Sequence, residues 1–375
     1  MLFRRSLIFY LTSEVFLSVG LGIVSYAQPF YYHQVGQSDA HIGFLFASNA
    51  AVAGLSALIL GPLADRHGVL KSFKMSTFIL PFGYVWMAFT HSMSTLYLTA
   101  AMTGLGGALL MSTENVVMSN LLKDYARTSV LSKFVAFYTV AMGAGVVLSG
   151  FLCSLIGYEQ TMRIGALLAA IAPFIRLFVR VADTRAHTVF WLPSKRLMAM
   201  GGYAGLFGIA TGVLSPFVTM ILKSQFAFSN HSASVVSAVS LFITAFGSYL
   251  VVFFLRRFNR SGTLLLGLVG GALITLLLSV LFLPAYFLIA YFARTLLLSV
   301  PGSVVDATFL DLSPPSEYAQ MFGIRVFGNS VGSAVGSFVG GILLSSSQTT
   351  VTFLISGLVF VASYIYLVIL LRRLS

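Results

Sequence analysis

Residues 61–71 read Gly61-Pro62-Leu63-Ala64-Asp65-Arg66-His67-Gly68-Val69-Leu70-Lys71, a charged segment between two long apolar runs. The runs lie at about residues 41–63 and 72–90, and roughly 20 apolar residues are enough for a helix to cross a bilayer. Gly61 lets one helix pack closely on its neighbour, and Gly68 permits a tight turn. The segment therefore predicts two spanning helices joined by a short turn at a membrane surface.

The same alternation of apolar runs and short breaks continues along the chain. Hydrophobic residues make up 58% of the 375 positions and charged residues 9%, whereas a soluble domain carries about 25% charged residues. The mean hydropathy is +0.95. We predict an all-α membrane protein with twelve transmembrane helices in two pseudo-symmetric six-helix bundles. The predicted spans are roughly 7–31, 41–63, 72–90, 94–121, 131–156, 161–180, 197–222, 232–255, 262–282, 284–306, 318–344 and 349–371.

The basic residues predict the orientation of the chain. With the N-terminus inside, seventeen Lys and Arg fall on inner segments and only Arg163 and Lys223 on outer ones, as the positive-inside rule requires. An even number of spans then places both termini in the cytoplasm, in a cell (inner or plasma) membrane. The same rule explains the excess of 22 Lys plus Arg over 10 Asp plus Glu, so nucleic acid is not an expected partner.

The longest hydrophilic break divides the chain into halves. We predict an N-terminal bundle at 1–181, a cytoplasmic linker at 182–196 and a C-terminal bundle at 197–375. Short matches occur in the same order in both halves. Gln28-Pro29-Phe30 matches Ser215-Pro216-Phe217, and Asp65-Arg66-His67-Gly68 matches Asn259-Arg260-Ser261-Gly262. Such matches suggest parallel repeats, at whose interface transporters bind substrate near the membrane midplane.

The segment at 61–71 resembles the signature loop of the major facilitator superfamily, Gly-x-Leu-Ala-Asp-Arg-x-Gly-Arg-Lys. The matching positions are Gly61, Leu63, Ala64, Asp65, Arg66 and Gly68. The two basic residues after the second glycine are replaced by Val69 and Leu70. The resemblance extends over the whole chain in the arrangement of the predicted spans, but the close sequence match is confined to this loop.

The resemblance implies a gate on the cytoplasmic side, in which the loop closes against span eleven. The residues carried over to this gate are Gly61, Asp65, Arg66 and Gly68, with Arg325 as a candidate partner. The alternative is a helix-capping loop whose charges only set the topology.

Other motifs of the superfamily's drug/proton antiporters are incomplete here. Gly104-Leu105-Gly106 is present in span four, but Ala100 stands where these antiporters carry an arginine. Span five contains several glycines without the proline of the Gly-Pro signature. Glu114-Asn115 resembles a group of generic efflux-like bacterial members, a likeness that does not imply a substrate.

Two carboxylates lie inside predicted spans, where an ionised group costs about 2.5–3.5 kcal/mol and usually faces a cavity or a partner. Glu14 lies in span one, on a stripe that we expect to line a water-accessible path. The stripe also contains Ser18, Ser25, Gln28 and Tyr32. Glu114, beside Asn115 in span four, should reach a similar depth near the inner side.

Two carboxylates in a poorly hydrated space cannot both ionise at low cost. We therefore expect one of Glu14 and Glu114 to take up a proton, which is what a proton-coupled transporter needs. The alternative is that each glutamate pairs with a neighbouring Arg or Asn as a structural contact.

Further polar residues extend the predicted cavity. Arg294, midway through span ten, is a candidate for binding an anionic substrate group or neutralising a carboxylate across the cavity; the alternative is an ion pair that holds the halves together. Asn49 and Ser215 add small polar positions. In span eleven a glycine recurs every four residues and predicts a packing seam rather than a substrate site. These glycines are Gly328, Gly332, Gly336 and Gly340.

The sequence predicts a secondary active transporter that works by alternating access. We expect a monomer in the lipid bilayer that exports a small amphiphilic or drug-like molecule, with the proton as coupling ion. No phosphate-binding glycine loop, catalytic-triad spacing or zinc spacing occurs, so neither an enzyme nor a cofactor nor a metal is predicted. The single cysteine, Cys153, excludes a disulfide within the chain.

Two other functions stay open. One is a proton-linked importer or uniporter of sugars or other metabolites. The other is a non-transporting membrane receptor on the same fold, which would need no titrating acid in its cavity. A flux assay in proteoliposomes with and without a pH gradient separates the three.

Overall fold

A computed structural model of the protein describes residues 2–121, 127–180, 193–281, 283–314 and 317–374. Within its helices the side chains are described except at 2–4, 61–67, 115–116, 119–120, 127–133 and 318–319. The described residues are almost entirely helical, which confirms the all-α prediction. Six helices precede the predicted linker: α1 Leu2–Gln34, α2 Asp39–His67, α3 Val69–Ala88, α4 Met93–Leu121, α5 Arg127–Ala169 and α6 Ala172–Arg176.

Eight further α-helices follow the predicted linker. They are α7 Lys195–Gly212, α8 Val218–Phe226, α9 Asn230–Leu265, α10 Gly271–Leu278, α11 Pro284–Ser299, α12 Pro301–Asp311, α13 Tyr318–Ser345 and α14 Thr349–Leu374. A 3-10 turn at Ser215–Phe217 separates α7 from α8, and a π-helical turn at Leu266–Gly270 separates α9 from α10. Proline opens α11 and α12, because a missing N–H costs nothing in a first turn.

The spans that the described residues allow are compared with the twelve predicted from the sequence. Among the described residues, nine helical segments are long and apolar enough to cross a membrane. Two of these contain a non-helical residue, Gly157 (φ 80°) and Asn259 (φ 53°), close to the predicted breaks between spans five and six and between spans eight and nine. Helix α3 at Val69–Ala88 lies outside the nine and matches predicted span three. The helices are therefore consistent with twelve spans.

Contacts divide the chain into two compact units. Unit 1 comprises Met1–Gln37, Ala51–Trp191 and Phe228–Ala238, and unit 2 comprises Ser38–Ala50, Leu192–Ala227 and Val239–Ser375. The first turns of α2 thus belong to unit 2 and those of α9 to unit 1. The predicted linker at 182–196 lies largely outside the described residues, and the bundle boundaries at 181 and 197 stay a prediction.

Unit 1 is built on close packing of α1 against α5. A Cβ atom added to Gly22 would clash with the carbonyl oxygen of Met142, and one added to Gly145 would clash with that of Val19. Only glycine lets the two backbones approach this closely. The short helix α6 packs against α1 and α3. Its residues Ala172, Pro173 and Arg176 are buried in this unit, whereas Phe174 is exposed.

Unit 2 has the corresponding seam between α7 and α13. Cβ atoms added along one face of α13 would clash with backbone carbonyl oxygens of α7 and of Val213, the residue that directly follows α7. The pairs are Gly328 with Gly201, Gly332 with Gly205, Gly336 with Ile209 and Gly340 with Val213. The prediction that these four glycines form a packing seam is confirmed.

The matching proline-containing motifs of the two halves differ in structure. Pro29 lies inside the continuous helix α1, whereas Pro216 lies in a 3-10 break.

Candidate functional site

Glu14 and Glu114 meet at one arginine inside unit 1. Arg176, the last residue of α6, uses its Nη2 atom to bind the Glu14 carboxylate and to donate to Glu114 Oε1 at 3.1 Å. Arg176 is 0% exposed and Glu14 is 3% exposed, while the Glu114 side chain is 19% exposed. These three residues are called the Glu–Arg–Glu cluster below.

Polar neighbours on α1 complete the coordination of the two carboxylates. Ser18 Oγ donates to Glu14 Oε1 at 2.6 Å, and Tyr10 Oη donates to Glu114 Oε1 at 2.9 Å. Arg176 Nε donates to Ser13 Oγ at 3.1 Å. Residues one turn apart on a helix lie on the same face, so α1 supplies most of the cluster's hydrogen bonds from one face.

Aromatic rings hold the Arg176 guanidinium in place. Its Cζ atom lies 4.8 Å from the ring centre of Phe73 on α3 and 5.3 Å from that of Tyr10. A guanidinium over an aromatic face is attracted by the ring quadrupole, and the attraction grows when water is excluded. Helices α1, α4 and α6 therefore supply the cluster, and α3 supplies a ring that packs on its arginine.

The charge of the cluster is unbalanced by one unit. With all three groups ionised, two carboxylates and one guanidinium carry a net charge of −1, and one added proton makes the cluster neutral. Burying an unbalanced charge is costly, whereas a neutral, fully hydrogen-bonded set is tolerated. The arrangement is chemically suited to accepting a single proton.

One donor of the cluster is unused among the described residues. Arg176 Nη1 is buried and has no hydrogen-bond partner there. A buried donor left unpaired costs about 1–3 kcal/mol.

Sequence reasoning missed Arg176. Predicted span six extends to residue 180, and the charged residues named above as candidates inside spans are Glu14, Glu114 and Arg294. The available signal was an arginine within the apolar run Pro173-Phe174-Ile175-Arg176-Leu177-Phe178-Val179. In the structure the helix breaks at Ala170–Ile171 and α6 begins at Ala172, which places Arg176 at the buried end of α6.

The other predicted cavity residues are not gathered at the cluster. Ser25 is exposed and bonds the backbone of its own helix at Gly22, while Gln28 Nε2 donates to Tyr32 Oη at 2.8 Å. Tyr32 is fully buried, so the α1 stripe is not one open face in this structure. Asn49 is half-buried on α2, Ser215 is exposed at the α7–α8 break, and the Asn115 side chain lies outside the described residues.

Arg294 lies apart from the cluster, in unit 2. It is 5% exposed, its Nε donates to Thr275 Oγ1 at 2.9 Å, and its Cζ lies 5.7 Å from the ring centre of Phe360. These contacts join α11 to α10 and α14. Within the described part of the chain, no carboxylate lies within 4.0 Å of Arg294, so it forms no ion pair there.

The family of the chain follows from a comparison with known proteins. The family model "Major Facilitator Superfamily" matches residues 11–199 and 200–375. The chain belongs to the Major Facilitator Superfamily. This confirms the resemblance noted in the loop at 61–71, and it places the chain in a family of transporters rather than among enzymes.

Two known relatives are distant in sequence, and the chain matches each of them over only part of its length. The chain is 24% identical to the tetracycline resistance protein, class H, of Pasteurella multocida over 179 residues, which are 47% of this chain and 43% of that protein. It is 26% identical to azole resistance protein 1 of Saccharomyces cerevisiae over 141 residues, 38% of this chain and 23% of that protein. The chain thus spans less than half the length of either relative.

Solved superfamily structures match nearly the whole chain. The nucleoside transporter NupG has a TM-score of 0.79 at 14% identity, with 97% of this chain and 98% of that chain covered. A bacterial homologue of the iron transporter ferroportin has a TM-score of 0.77 at 12% identity, with 99% of both chains covered. The human organic anion transporter MFSD10 has a TM-score of 0.69 at 13% identity, with 97% and 99% covered. At these identities the likeness establishes the superfamily fold.

The superfamily's signature loop lies at the turn between α2 and α3. Gly68 adopts φ 111°, a conformation that other residues rarely reach, as expected for a tight turn. The side chains of Asp65 and Arg66 and the burial of Gly61 lie outside what the structure describes, so the gate role of these residues stays a prediction. Arg325 forms an ion pair with Asp306 of α12 inside unit 2.

Proposed function

We propose that the protein is a secondary active transporter that works by alternating access and couples transport to protons. The proposal adopts two six-helix bundles, at 1–181 and 197–375, joined by a cytoplasmic linker, with both termini in the cytoplasm. Membership of the superfamily supports transport itself. One structural observation supports coupling: a buried cluster with two carboxylates and one arginine.

The Glu–Arg–Glu cluster supports proton coupling through its charge. A permanent cation between two carboxylates removes most of the repulsion that the two carboxylates alone would have, yet leaves one net negative charge to be neutralised. A proton can bind when the partly exposed Glu114 meets water, and it is released when the surroundings favour the ion pair. Binding and release in different conformations is the requirement for coupled transport.

We further propose export of a small amphiphilic or drug-like molecule. The two curated relatives are a tetracycline and an azole resistance protein by name, which supports export of drug-like compounds. The solved neighbours are named for nucleosides, organic anions and iron, so import or facilitated transport of a metabolite is the second candidate. A non-transporting receptor is the third.

The test is transport in proteoliposomes, with tetracycline and fluconazole as probes. We expect the wild-type protein to move at least one probe faster when a pH gradient is imposed, and to dissipate the gradient when the probe is added. Glu14→Gln and Glu114→Gln should each lower gradient-driven transport by about tenfold, a barrier change of about 1.4 kcal/mol, while downhill exchange of the probe continues.

The control is Glu159→Gln, which removes a carboxylate from an ion pair with Arg163 near the end of a span. This variant should retain the wild-type response to the pH gradient. Unchanged coupling in both cluster variants would exclude the proposed role of the cluster. Flux that does not depend on the pH gradient, in the wild-type protein and in all variants, would favour a uniporter. Binding of a probe without flux would favour a receptor.

A further inference from the structure

Helix α3 carries two lysines in the wall of a surface groove of unit 1. The groove has a volume of about 390 Å³. Residues three or four positions apart lie on one face of a helix, and the lining residues follow this spacing along α3. They are Leu70, Lys71, Lys74, Met75 and Phe78, and this surface is called the α3 groove below.

The end of the α3 groove nearest the start of the helix is positively charged. Lys71 is exposed and Lys74 is half-buried, and the charge of Arg180 acts on Lys74 from the segment after α6. Among the described residues, no carboxylate forms an ion pair with either lysine. Helix α3 has no acidic residue in its first turn, and a helix N-terminus adds about half a positive charge. This end of the groove therefore attracts a negatively charged group.

The Lys74 ammonium is positioned by the end of α6. Its Nζ atom donates to the carbonyl oxygen of Leu177, the residue that directly follows α6, at 3.1 Å. An ammonium group has three donors, so this bond fixes the side chain and leaves donors for other acceptors. Lys71 lies on the same face, and Cβ atoms three residues apart in a helix are separated by about 5–6 Å. Both long side chains can therefore reach one phosphate group.

Beyond the lysines, the same face of α3 is apolar and aromatic. The rings of Phe78 and Phe82 stack with centres 6.0 Å apart, and each meets the ring of Phe174 on α6 edge-on, at 5.9 and 6.3 Å. Met75, Phe82 and Phe174 are exposed. Phe82 follows Lys71 by eleven residues, about 16 Å along the helix, which is roughly half of the 30 Å hydrocarbon core of a bilayer. The apolar surface thus matches the length of the lipid chains in one leaflet.

The size and polarity of the groove select among negative ligands. One water molecule occupies about 30 Å³, so a groove of about 390 Å³ is much larger than a simple inorganic ion needs. Lysines near the end of a span place their charge among the lipid headgroups while their methylene chains lie along apolar surface. A ligand with an anionic head and apolar chains complements both parts of the α3 groove.

We propose that the α3 groove binds one anionic phospholipid. Its phosphate contacts Lys71 and Lys74, and one of its acyl chains lies over Met75, Phe78 and Phe82. Both lysines fall on the side expected to face the cytoplasm, where the leaflet is rich in anionic lipid and basic pockets between spans bind such headgroups.

This site lies directly outside the Glu–Arg–Glu cluster. Phe73, next to Lys74 in the chain, packs on the Arg176 guanidinium. Leu177, next to Arg176, accepts the hydrogen bond of Lys74. A bound lipid therefore joins α3 to α6 beside the residues that hold the cluster arginine. It stabilises unit 1 whichever molecule the protein transports.

Thermal unfolding of the purified full-length protein in a mild detergent tests the proposal, with phosphatidylglycerol compared with phosphatidylcholine of the same acyl chains. Phosphatidylglycerol should raise the wild-type Tm by about 2 °C more than phosphatidylcholine, in a saturable manner, because it binds the folded state. Glycerol phosphate, which has the headgroup phosphate without chains, should give no shift at the same concentration. Equal Tm values in both lipids would overturn the proposal, as would an equal shift with glycerol phosphate.

The double variant Lys71→Gln/Lys74→Gln should lose the difference between the two lipids. The matched control is Arg372→Gln/Arg373→Gln, which removes two positive charges from exposed residues in the last turn of α14. It should keep the wild-type response. Loss of the response in both double variants would reduce the effect to a general attraction between lipid and positive charge, and would contradict a site in the groove.

Met75→Trp tests the apolar part of the site and keeps both lysines. Met75 is exposed, so the variant should fold, and it provides the test if the double lysine variant does not. The larger side chain should fill the groove, so that about tenfold more phosphatidylglycerol is needed for the same Tm shift, equivalent to about 1.4 kcal/mol of binding free energy. An unchanged midpoint for phosphatidylglycerol would show that the lipid does not occupy the α3 groove.

Discussion

At the scale of single residues, the two buried arginines have opposite environments. Arg176 contacts two carboxylates, and Arg294 contacts a hydroxyl and a phenyl ring. Removing one partner of a buried ion pair typically costs about 3–5 kcal/mol, because the other charge is left uncompensated. A cluster with two carboxylates can lose one of them and still balance its arginine.

This redundancy predicts a non-additive effect of the glutamates on stability. Glu14→Gln and Glu114→Gln should each change the free energy of unfolding by about 1 kcal/mol or less, because each leaves one neutral ion pair with Arg176. The double variant should lose about 3–5 kcal/mol, since it leaves Arg176 buried without a carboxylate. Thermal unfolding of the three purified proteins in one detergent measures this coupling.

Adding Arg176→Met to the double variant provides the control. It removes the stranded charge and should recover much of the lost stability. Strictly additive effects of the two glutamates, or no recovery in the triple variant, would show that the cluster is held by something other than charge.

At the scale of elements, glycine seams determine which helices pair most closely. Helix α5 packs on α1, and α13 packs on α7, each through glycines that approach carbonyl oxygens of the opposite backbone. Lipid tails are as apolar as leucine, so helices associate in a membrane through close packing rather than through hydrophobicity. A side chain added at the seam would have to displace the backbone of the opposite helix, and this displacement costs a large amount of packing free energy.

Gly332→Leu should therefore destabilise unit 2 by about 3 kcal/mol or more, because overpacking against a rigid backbone exceeds the usual 1–3 kcal/mol of a core insertion. The yield of monodisperse protein and its Tm are the measurements. Gly323→Leu in the same helix is the control, because a Cβ atom there meets no described atom within 4 Å. Similar losses in both variants would argue against the seam.

At the scale of the whole molecule, the uneven distribution of Lys and Arg sets the expected orientation. Ser92, between α3 and α4, should face the outside, and Ser261, beside the break at Asn259, should face the cytoplasm. Both serines are exposed. Cys153 is 5% exposed, so it should react little with thiol reagents.

Single-cysteine labelling tests this orientation in a Cys153→Ala background. A membrane-impermeant maleimide should label Ser92→Cys in intact cells, and Ser261→Cys only after the cells are permeabilised. Labelling in the reverse order would overturn the proposed cytoplasmic location of both termini. Cys153 in the otherwise unchanged protein should stay unlabelled until the protein is denatured.

Several elements could be predicted from local patterns alone. Helix ends lie within a few residues of the predicted spans, because apolar runs of bilayer length are interrupted by charged residues, glycine and proline. The α13 seam was predictable from glycines repeated every four residues, and the turn at Gly68 from its motif. The predicted span six was less accurate, because its helix breaks at Ala170–Ile171.

The amino-acid sequence by itself determined the helical membrane fold, the superfamily and the presence of two unusual carboxylates, since each depends on composition or on residues close together in the chain. Only the tertiary structure decided their partners. Glu14, Glu114 and Arg176 are 62 to 162 residues apart, and their contacts arise from the packing of α1, α4 and α6. The partners of Arg294 were likewise decided by the tertiary structure. Which described residues surround its guanidinium depends on how the helices pack and not on its neighbours in sequence.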